Sequence, residues 1–425
     1  MLCYNKLLSG GMNRKGGLIM ITYKNIIEQE YQTVVASYKK SVIAEASYQS
    51  EAQMETRFIK DLQAQGYEYD RGITTHATLF VNLKQKIENL NSKIRKEDIK
   101  FTDAEWVRFF DLELKYGGLI EKTKTIQQDF IKNFTFDNPR LKHINNITLI
   151  DKENPLNNHL QVINQYETVG NYKNRYDVTI LVNGLPIVHI ELKRRGVHIK
   201  EAFNQIERYE RDSFWADGGL FEYIQIFIIS NGTNTKYFSN TTREAKLTGN
   251  SKKSLEFTMW WAARNNETIK DLDDFVQTFF ARHTLLYILT KYCILNTEEQ
   301  LMIMRPYQIA ATEKILEKIN ISHLNKWAGT NNSGGYIWHT TGSGKTLTSF
   351  KTAQLATDLP YIEKVLFVVD RKVLDYQTMK EYDKFEKGAA NATMSSRELE
   401  NSLKDPDKKI IITTIQKLER FINKS

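Results

Sequence analysis

Tyr176-Asp-Val-Thr-Ile-Leu-Val-Asn-Gly-Leu-Pro-Ile-Val-His-Ile-Glu-Leu-Lys193 reads as two strands joined at Asn183-Gly184, a strong hairpin turn. Val178, Ile180 and Val182 share one face of the first strand, and Val188, Ile190 and Leu192 share one face of the second. Burying both sets on one side requires Val178 opposite Ile190 and Ile180 opposite Val188. That register sets Asp177 across from Glu191, with Lys193 two residues further on the same face. A tight two-residue loop alone would slip the pairing by one, so a three-residue loop or a bulge at Leu185-Pro186 is expected. Two carboxylates facing each other at ~5 Å repel unless a positive charge lies between them. Mg²⁺ suits the place, being a hard cation with oxygen ligands and coordination sites to spare for water and phosphate. Lys193 would hold or help deprotonate an attacking water. The same residues also read as a solvated hairpin edge carrying ordinary charges. His189, on the Glu191 face, reads as structural or solvent-facing.

Upstream of this hairpin the pattern is helical. Tyr23 to Glu45 has helix spacing, and Ser50 to Gln65 shows it more clearly, with Met54, Phe58, Ile59 and Leu62 on one side. Further helices are predicted at Thr78–Leu90, Thr102–Tyr116 and Ile120–Asn133. Leu160–Val169 is a strand ahead of the hairpin. After it come a helix over Lys200–Trp215, an apolar strand over Tyr223–Ser230, a short strand at Lys236–Phe238 and a polar loop, Ser239–Ser254. Helices at Leu272–Phe280 and Thr284–Leu295 close this part.

A second constellation lies downstream. Tyr336-Ile-Trp-His-Thr-Thr-Gly-Ser-Gly-Lys-Thr-Leu347 reads as a strand start, a glycine-rich turn and a helix opening at Lys345. Backbone N–H groups from Thr341 through Gly342, Ser343 and Gly344 can wrap a nucleotide phosphate at the helix N-terminus. Lys345 can reach the β- and γ-phosphates and Thr346 can ligate Mg²⁺. His339 stands where the phosphate-loop pattern has its first glycine. Around this loop the expected order is helix Pro306–Ile321, helix Lys345–Thr357, strand Lys364–Asp370, helix Lys372–Phe385, helix Ser396–Lys404 and strand Lys409–Thr413. Strands alternating with helices give a parallel sheet covered on both faces.

With these residues quoted, the first constellation resembles the PD-(D/E)xK nuclease family, Asp177 and Glu191-Leu-Lys193 matching its core, with Tyr176 where the naming proline stands. Gln205-Ile-Glu-Arg-Tyr209 on the next helix is similar to the Gln-x-x-x-Tyr signature of the helicase-linked branch. Glu55 matches the upstream helical glutamate of such nucleases, though it reads equally as a surface glutamate. Lys193-Arg194-Arg195 puts positive charge beside the site, suited to DNA phosphates. The second constellation resembles superfamily 2 helicases. Arg305-Pro-Tyr-Gln308 is similar to their adenine-reading Q-motif, so Gln308 would explain a preference for ATP. Arg371 after Asp370, and Thr413-Thr414, are similar to motifs that contact the DNA backbone. For the two threonines, ordinary strand-end chemistry is the alternative.

A nuclease placed before a helicase lobe resembles the restriction (R) subunit of type I restriction-modification enzymes. The fold expected is α/β: a mixed sheet flanked by helices over residues 21–295, then a RecA-like parallel α/β motor lobe over 296–425. The resemblance implies a Mg²⁺-dependent endonuclease coupled to ATP-driven translocation on double-stranded DNA, working with methylation (M) and specificity (S) subunits. It also implies that about half of the parent chain lies outside this sequence. No Asp-Glu-x-His box, second lobe or arginine finger follows the phosphate loop, so weak nucleotide binding without translocation is expected. A repair helicase-nuclease and a non-catalytic remnant that only binds DNA or nucleotide are the alternative readings.

Composition bounds these readings. The 425 residues have room for two or three domains, with 41% hydrophobic and 26% charged residues, ordinary for a globular chain. A net charge of +8 and a pI near 9.0 suit a polyanionic partner. Two cysteines, Cys3 and Cys293, offer no disulfide framework and point to a reducing cytoplasm. No apolar run approaches the ~20 residues that span a bilayer, so no membrane is implied. Residues 1–20 read as a leader. Lys15-Gly16-Gly17 can be encoded by a ribosome-binding sequence just ahead of Met20, so translation is expected to start there; an intact mass that includes Met1 would refute this.

Overall fold

The structure, a computed structural model, describes residues 34–35, 50–240, 255–369, 380–385, 391–392 and 395–423. The expected leader, most of the Tyr23–Glu45 helix, most of the Ser239–Ser254 loop, and Asp370 with Arg371 lie outside the described residues. In chain order, helix α1 (Glu51–Ala64) leads to strand β1 (Glu68–Tyr69) and helices α2 (His76–Arg95), α3 (Asp103–Phe109) and α4 (Leu119–Gln127). A small hairpin, β2 (Ile131–Asn133) and β3 (Asn146–Thr148), precedes the long strands β4 (Leu160–Val169), β5 (Lys173–Val182) and β6 (Leu185–Leu192). Helix α5 (Lys200–Asp212) then crosses to β7 (Ile226–Ser230), which turns into β8 (Thr235–Ser239).

These strands form one six-stranded mixed sheet in the order β1-β4-β5-β6-β7-β8. The pairs β1–β4 and β6–β7 are parallel, and the others are antiparallel. The β6–α5–β7 crossover supplies the parallel step, since parallel neighbours cannot be joined by a tight turn. Both β6 and β7 are buried along their whole length, as central strands covered on two faces must be.

The hairpin register matches the apolar alternation. Val178 pairs with Ile190 and Ile180 with Val188. Asn183 and Gly184 have φ values of 51° and 84°, the left-handed pair of a two-residue turn. The register is kept by a shift after Ile180, where Leu181 pairs with Pro186 and Ile187 is left over. The bulge is therefore at Ile187, beside the expected Leu185-Pro186. Gly184 is required twice over: a Cβ there would stand 2.7 Å from the Leu83 Cα of α2.

Helix α1 begins at a capping box in which Gln53 N–H donates to Ser50 Oγ and Ser50 N–H to Gln53 Oε1. It buries Met54, Phe58, Ile59 and Leu62, the face marked by helix spacing. Two segments differ from the sequence reading. The chain leaves helix α4 after Gln127, and residues 131–133 pair with β3. After β8, a short hairpin of β9 (Trp261–Ala262) and β10 (Thr268–Ile269) precedes helices α6 (Leu272–Thr278) and α7 (Arg282–Tyr287). The helix expected to run to Leu295 instead passes through a π-turn, Ile288–Tyr292, into β11 (Cys293–Leu295), paired with β12 (Leu301–Ile303). In both cases the segment finds an edge to pair with, and tertiary pairing overrides local helical spacing.

Beyond β12, helix α8 (Pro306–Leu324) and helix α9 (Lys345–Ala356) pack together. Strands β13 (Val365–Val369) and β14 (Asn391–Ala392), helix α10 (Ser396–Lys404), strand β15 (Ile410–Thr414) and helix α11 (Ile415–Ile422) follow. The sheet is parallel, in the order β13-β15-β14. The strand expected at Tyr336–Trp338 does not form: this segment pairs with no strand, and Tyr336 and Trp338 are 89% and 87% exposed. No helix among the described residues is long and apolar enough to cross a membrane.

Candidate active site

Asp177 and Glu191 come together at the open end of the β5–β6 ladder, one residue beyond the Val178–Ile190 pair. Glu191 is fully buried, and its Oε1 accepts from Lys193 Nζ at 2.9 Å. Asp177 Oδ2 accepts the Leu192 backbone N–H at 3.1 Å, which fixes that carboxylate across the strand pair. Burial, and then the charge of Glu191, raise the pKa of Asp177. Burial likewise raises that of Glu191, against the opposing pull of Lys193. Burial works against the Lys193 charge, but Glu191 and Asp177 outweigh it and hold the ammonium above its ordinary pKa.

Glu191 Oε2 is buried without a hydrogen-bond partner. His189 Nε2 lies 3.6 Å away, too far to donate a hydrogen bond. His189 is fully buried, and burial lowers its pKa to about 4, so it is a neutral wall of the site rather than a solvent-facing group. An unpartnered Glu191 oxygen, in a pair of carboxylates held toward their neutral forms, fits a divalent cation. Among the described residues no three His, Cys, Asp or Glu side chains stand at metal-ligating separation.

Glu55 reaches the same centre from α1. Its Oε1 accepts from Asn164 Nδ2 at 2.5 Å and its Oε2 from Gln165 Nε2 at 2.7 Å. Burial raises its pKa, the Asn164 bond lowers it, and the charge of Asp177 raises it again. Glu55 is therefore not a free surface carboxylate. Asn164 and Gln165 were not marked by motif; the one sequence signal is a polar pair interrupting an apolar strand between Ile163 and Tyr166.

Gln205 and Tyr209 share a face of α5, and the Gln205 amide donates to the Tyr209 hydroxyl. That hydroxyl donates in turn to the Arg175 carbonyl at 2.9 Å, tying α5 to β5 two residues before Asp177. Burial, then the charge of Glu191, raise the Tyr209 pKa. Arg194 is exposed, and its backbone N–H donates to Glu51 at 3.2 Å. Arg195 lies 3.7 Å from Asp271, just ahead of α6, and forms an ion pair there.

The glycine-rich loop lies against the start of α8. Gly342 and Gly344 take φ values of 77° and 81°, and Lys345 opens α9. Lys345 is exposed, and its Nζ donates to the Thr340 carbonyl at 3.1 Å. Gln308 Nε2 donates to the Ser343 carbonyl at 3.0 Å, while its Oε1 accepts Arg305 N–H at 2.9 Å. Both ends of the amide are thus occupied by the chain, and reading a base would require them to exchange. A Cβ on Gly344 would collide with that same amide. Thr341 is exposed and Thr346 half-buried at the helix mouth. A cleft of about 840 Å³ opens here, between Arg305, Tyr307, Trp338 and residues 340–343 on one side and Trp260 with Phe257 on the other. Thr414 is fully buried, and its hydroxyl accepts Lys417 N–H as the cap of α11, so its side chain serves its own helix.

Residues 48–246 match the family described as type I restriction enzyme R protein N terminus, and residues 307–425 match the SWI2/SNF2 ATPase family. The chain is 46% identical over 305 residues to the type I restriction enzyme EcoprrI endonuclease subunit of Escherichia coli, covering 71% of this chain and 93% of that protein. It is 38% identical over 386 residues to the SsaAORF53P endonuclease subunit of Staphylococcus saprophyticus subsp. saprophyticus, covering 88% of this chain and 37% of the relative. A similar relative, the SauCOLORF180P endonuclease subunit of Staphylococcus aureus, is 38% identical over 383 residues, 88% of this chain and 38% of that protein. The chain therefore spans well under half the length of the staphylococcal relatives.

Proposed function

As the chain belongs to the family of type I restriction enzyme endonuclease subunits, we propose that it carries the Mg²⁺-dependent DNA cleavage centre of such an enzyme, with part of its ATP-dependent motor. Residues 21–295 would form the nuclease unit and residues 296–425 the first motor lobe. The observation that carries this reading is the Asp177–Glu191 pair, Glu191 buried and Asp177 half-buried, with Lys193 bonded to Glu191. A divalent ion held by the two carboxylates would supply a Lewis acid that stabilises charge on the phosphoryl oxygens.

The rest of the chemistry falls to the chain. Lys193 Nζ, partly exposed and fixed by Glu191, orients the attacking water at the phosphorus. Leu192 N–H holds Asp177 in place. The Gln205–Tyr209–Arg175 chain of hydrogen bonds fixes α5 against the catalytic strand. Arg194 offers charge to the DNA backbone. At the other site, residues 341–346 would hold the ATP phosphates, with Lys345 on the terminal ones and Gln308 at the base. Arg371 is proposed as a backbone contact from its sequence context. Double-stranded DNA and the methylation and specificity subunits are the proposed partners.

The test is plasmid cleavage by the chain assembled with its methylation and specificity subunits, with Mg²⁺ and ATP. Lys193→Ala and Asp177→Ala should each lower the cleavage rate by about 10²-fold or more. Equal cleavage by wild type and both variants would place the chemistry elsewhere. A wild-type assembly that binds DNA but cuts nothing would favour a binding remnant.

A further inference from the structure

Among the described residues, six that are not glycine have positive φ. Five of them sit in hairpin turns or just beyond helix ends, where such backbone is ordinary. The sixth, Gln165 at φ 55°, is inside strand β4. The pairs on either side, Asn164 with Val178 and Tyr166 with Tyr176, set it opposite Asp177.

In a regular strand, neighbouring side chains point to opposite faces. Asn164 and Gln165 break that rule: both amides reach one carboxylate, that of Glu55, one oxygen each. The left-handed residue is what swings Gln165 to its neighbour's side. The Asn164 amide is oriented in turn by the Tyr69 hydroxyl, which donates to its Oδ1 at 2.8 Å and leaves its NH₂ for Glu55. Glycine or asparagine would take this backbone at less cost than glutamine. A long side chain kept in a disfavoured conformation beside the half-buried Asp177 and the buried Glu191 indicates that its reach is needed.

We propose that Gln165 is a positioning residue of the divalent-metal site: with Asn164 it aims the Glu55 carboxylate at the Asp177–Glu191 pair, where Glu55 accepts from water in the ion's outer shell. This rests on the metal reading of that pair. Glu55 is an outer acceptor rather than a third ligand because no third acid stands at ligating separation among the described residues. Mg²⁺ and Mn²⁺ keep several waters when few protein donors bind them, and fixed acceptors around those waters tune affinity.

The experiment is Mn²⁺ titration of the full chain, free ion being read by electron paramagnetic resonance, for wild type, Gln165→Gly, Glu55→Gln and the double variant. Gln165→Gly accepts the same backbone conformation and removes the whole side chain, amide included. It should weaken Mn²⁺ binding by about tenfold. In the Glu55→Gln background the same change should shift affinity by less than about twofold, since the carboxylate it aims is gone. Wild-type affinity in Gln165→Gly, or the full loss repeated on top of Glu55→Gln, overturns the proposal. If Gln165→Gly does not fold, Gln165→Asn tolerates the same φ with an arm one methylene short, and the same pattern is required of it. Wild-type protein that binds no Mn²⁺ overturns the metal reading itself and this proposal with it, an outcome separate from unchanged binding in the variant.

Discussion

Replacing Asp177 with asparagine should stabilise the metal-free chain at pH 8 while removing its response to metal. Glu191 is buried and Asp177 half-buried, and each is held toward its neutral form by desolvation and, for Asp177, by the charge of Glu191. At an effective dielectric of about 20, two unit charges about 5 Å apart repel by about 3 kcal/mol. Lys193, bonded to Glu191, offsets part of this, so relief of about 1–3 kcal/mol is expected. The substitution keeps the local geometry, because an asparagine oxygen can still accept the Leu192 N–H that now goes to Asp177 Oδ2. The sign with pH follows from the direction of the shifts. Carboxyls whose folded pKa is raised bind more protons folded than unfolded, so stability is full below their unfolded pKa and falls as pH rises through the folded one. The gain in Asp177→Asn should therefore vanish near pH 4 and be largest above neutrality. Urea unfolding followed by tryptophan fluorescence at pH 5 and pH 8, without and with Mg²⁺, measures it. Mg²⁺ should stabilise wild type at pH 8 and leave the variant unmoved. A variant less stable than wild type at pH 8 without metal would refute the electrostatic reasoning, since the carboxylate would then be a structural acceptor.

Other substitutions test other parts. Gly184→Ala should destabilise by about 2–4 kcal/mol, combining a left-handed backbone with a Cβ driven into Leu83, and a urea midpoint equal to wild type would contradict the register. Glu313 on α8 is raised to about 7 by burial although its Oε1 accepts the Val34 N–H, so Glu313→Gln should match wild type below about pH 4.5 and gain up to about 3 kcal/mol above pH 8. A flat difference across that range in urea titrations would show that burial does not set its charge. Lys345→Ala should abolish ATP binding in a fluorescent-nucleotide assay while leaving the melting temperature unchanged, because the side chain is exposed and, among the described residues, bonds the Thr340 carbonyl alone. Retained nucleotide affinity would remove this loop from the nucleotide site.

The carboxylate-bearing hairpin was legible because three constraints agree: apolar alternation on both strands, the Asn183-Gly184 turn, and one face that must be buried. Together they specify a register to the residue, and only the place of the bulge moved, to Ile187. The Tyr336–Trp338 segment was not legible in the same way. Apolar content alone says nothing about whether a neighbouring edge exists, and here the residues stay exposed and unpaired with any strand. Residues 131–133 and 293–295 failed in the opposite sense, helix spacing yielding to a partner edge that local sequence does not announce. Glu55 could be named from its place on a helix, but its amide clamp could not. Asn164 and Gln165 lie 109 and 110 residues away in sequence, and no residue pattern encodes a left-handed glutamine within a strand. The two occupied ends of the Gln308 amide were equally hidden, because they depend on how α8 meets the loop.

The central claim, that Asp177 and Glu191 hold a divalent ion, is tested most directly by anomalous diffraction from crystals of the chain soaked in Mn²⁺. The account predicts one strong peak between the two carboxylates, within reach of Glu191 Oε2, and its loss in Asp177→Asn crystals. A peak confined to the nucleotide loop, or density between the carboxylates that persists in the variant, would contradict it.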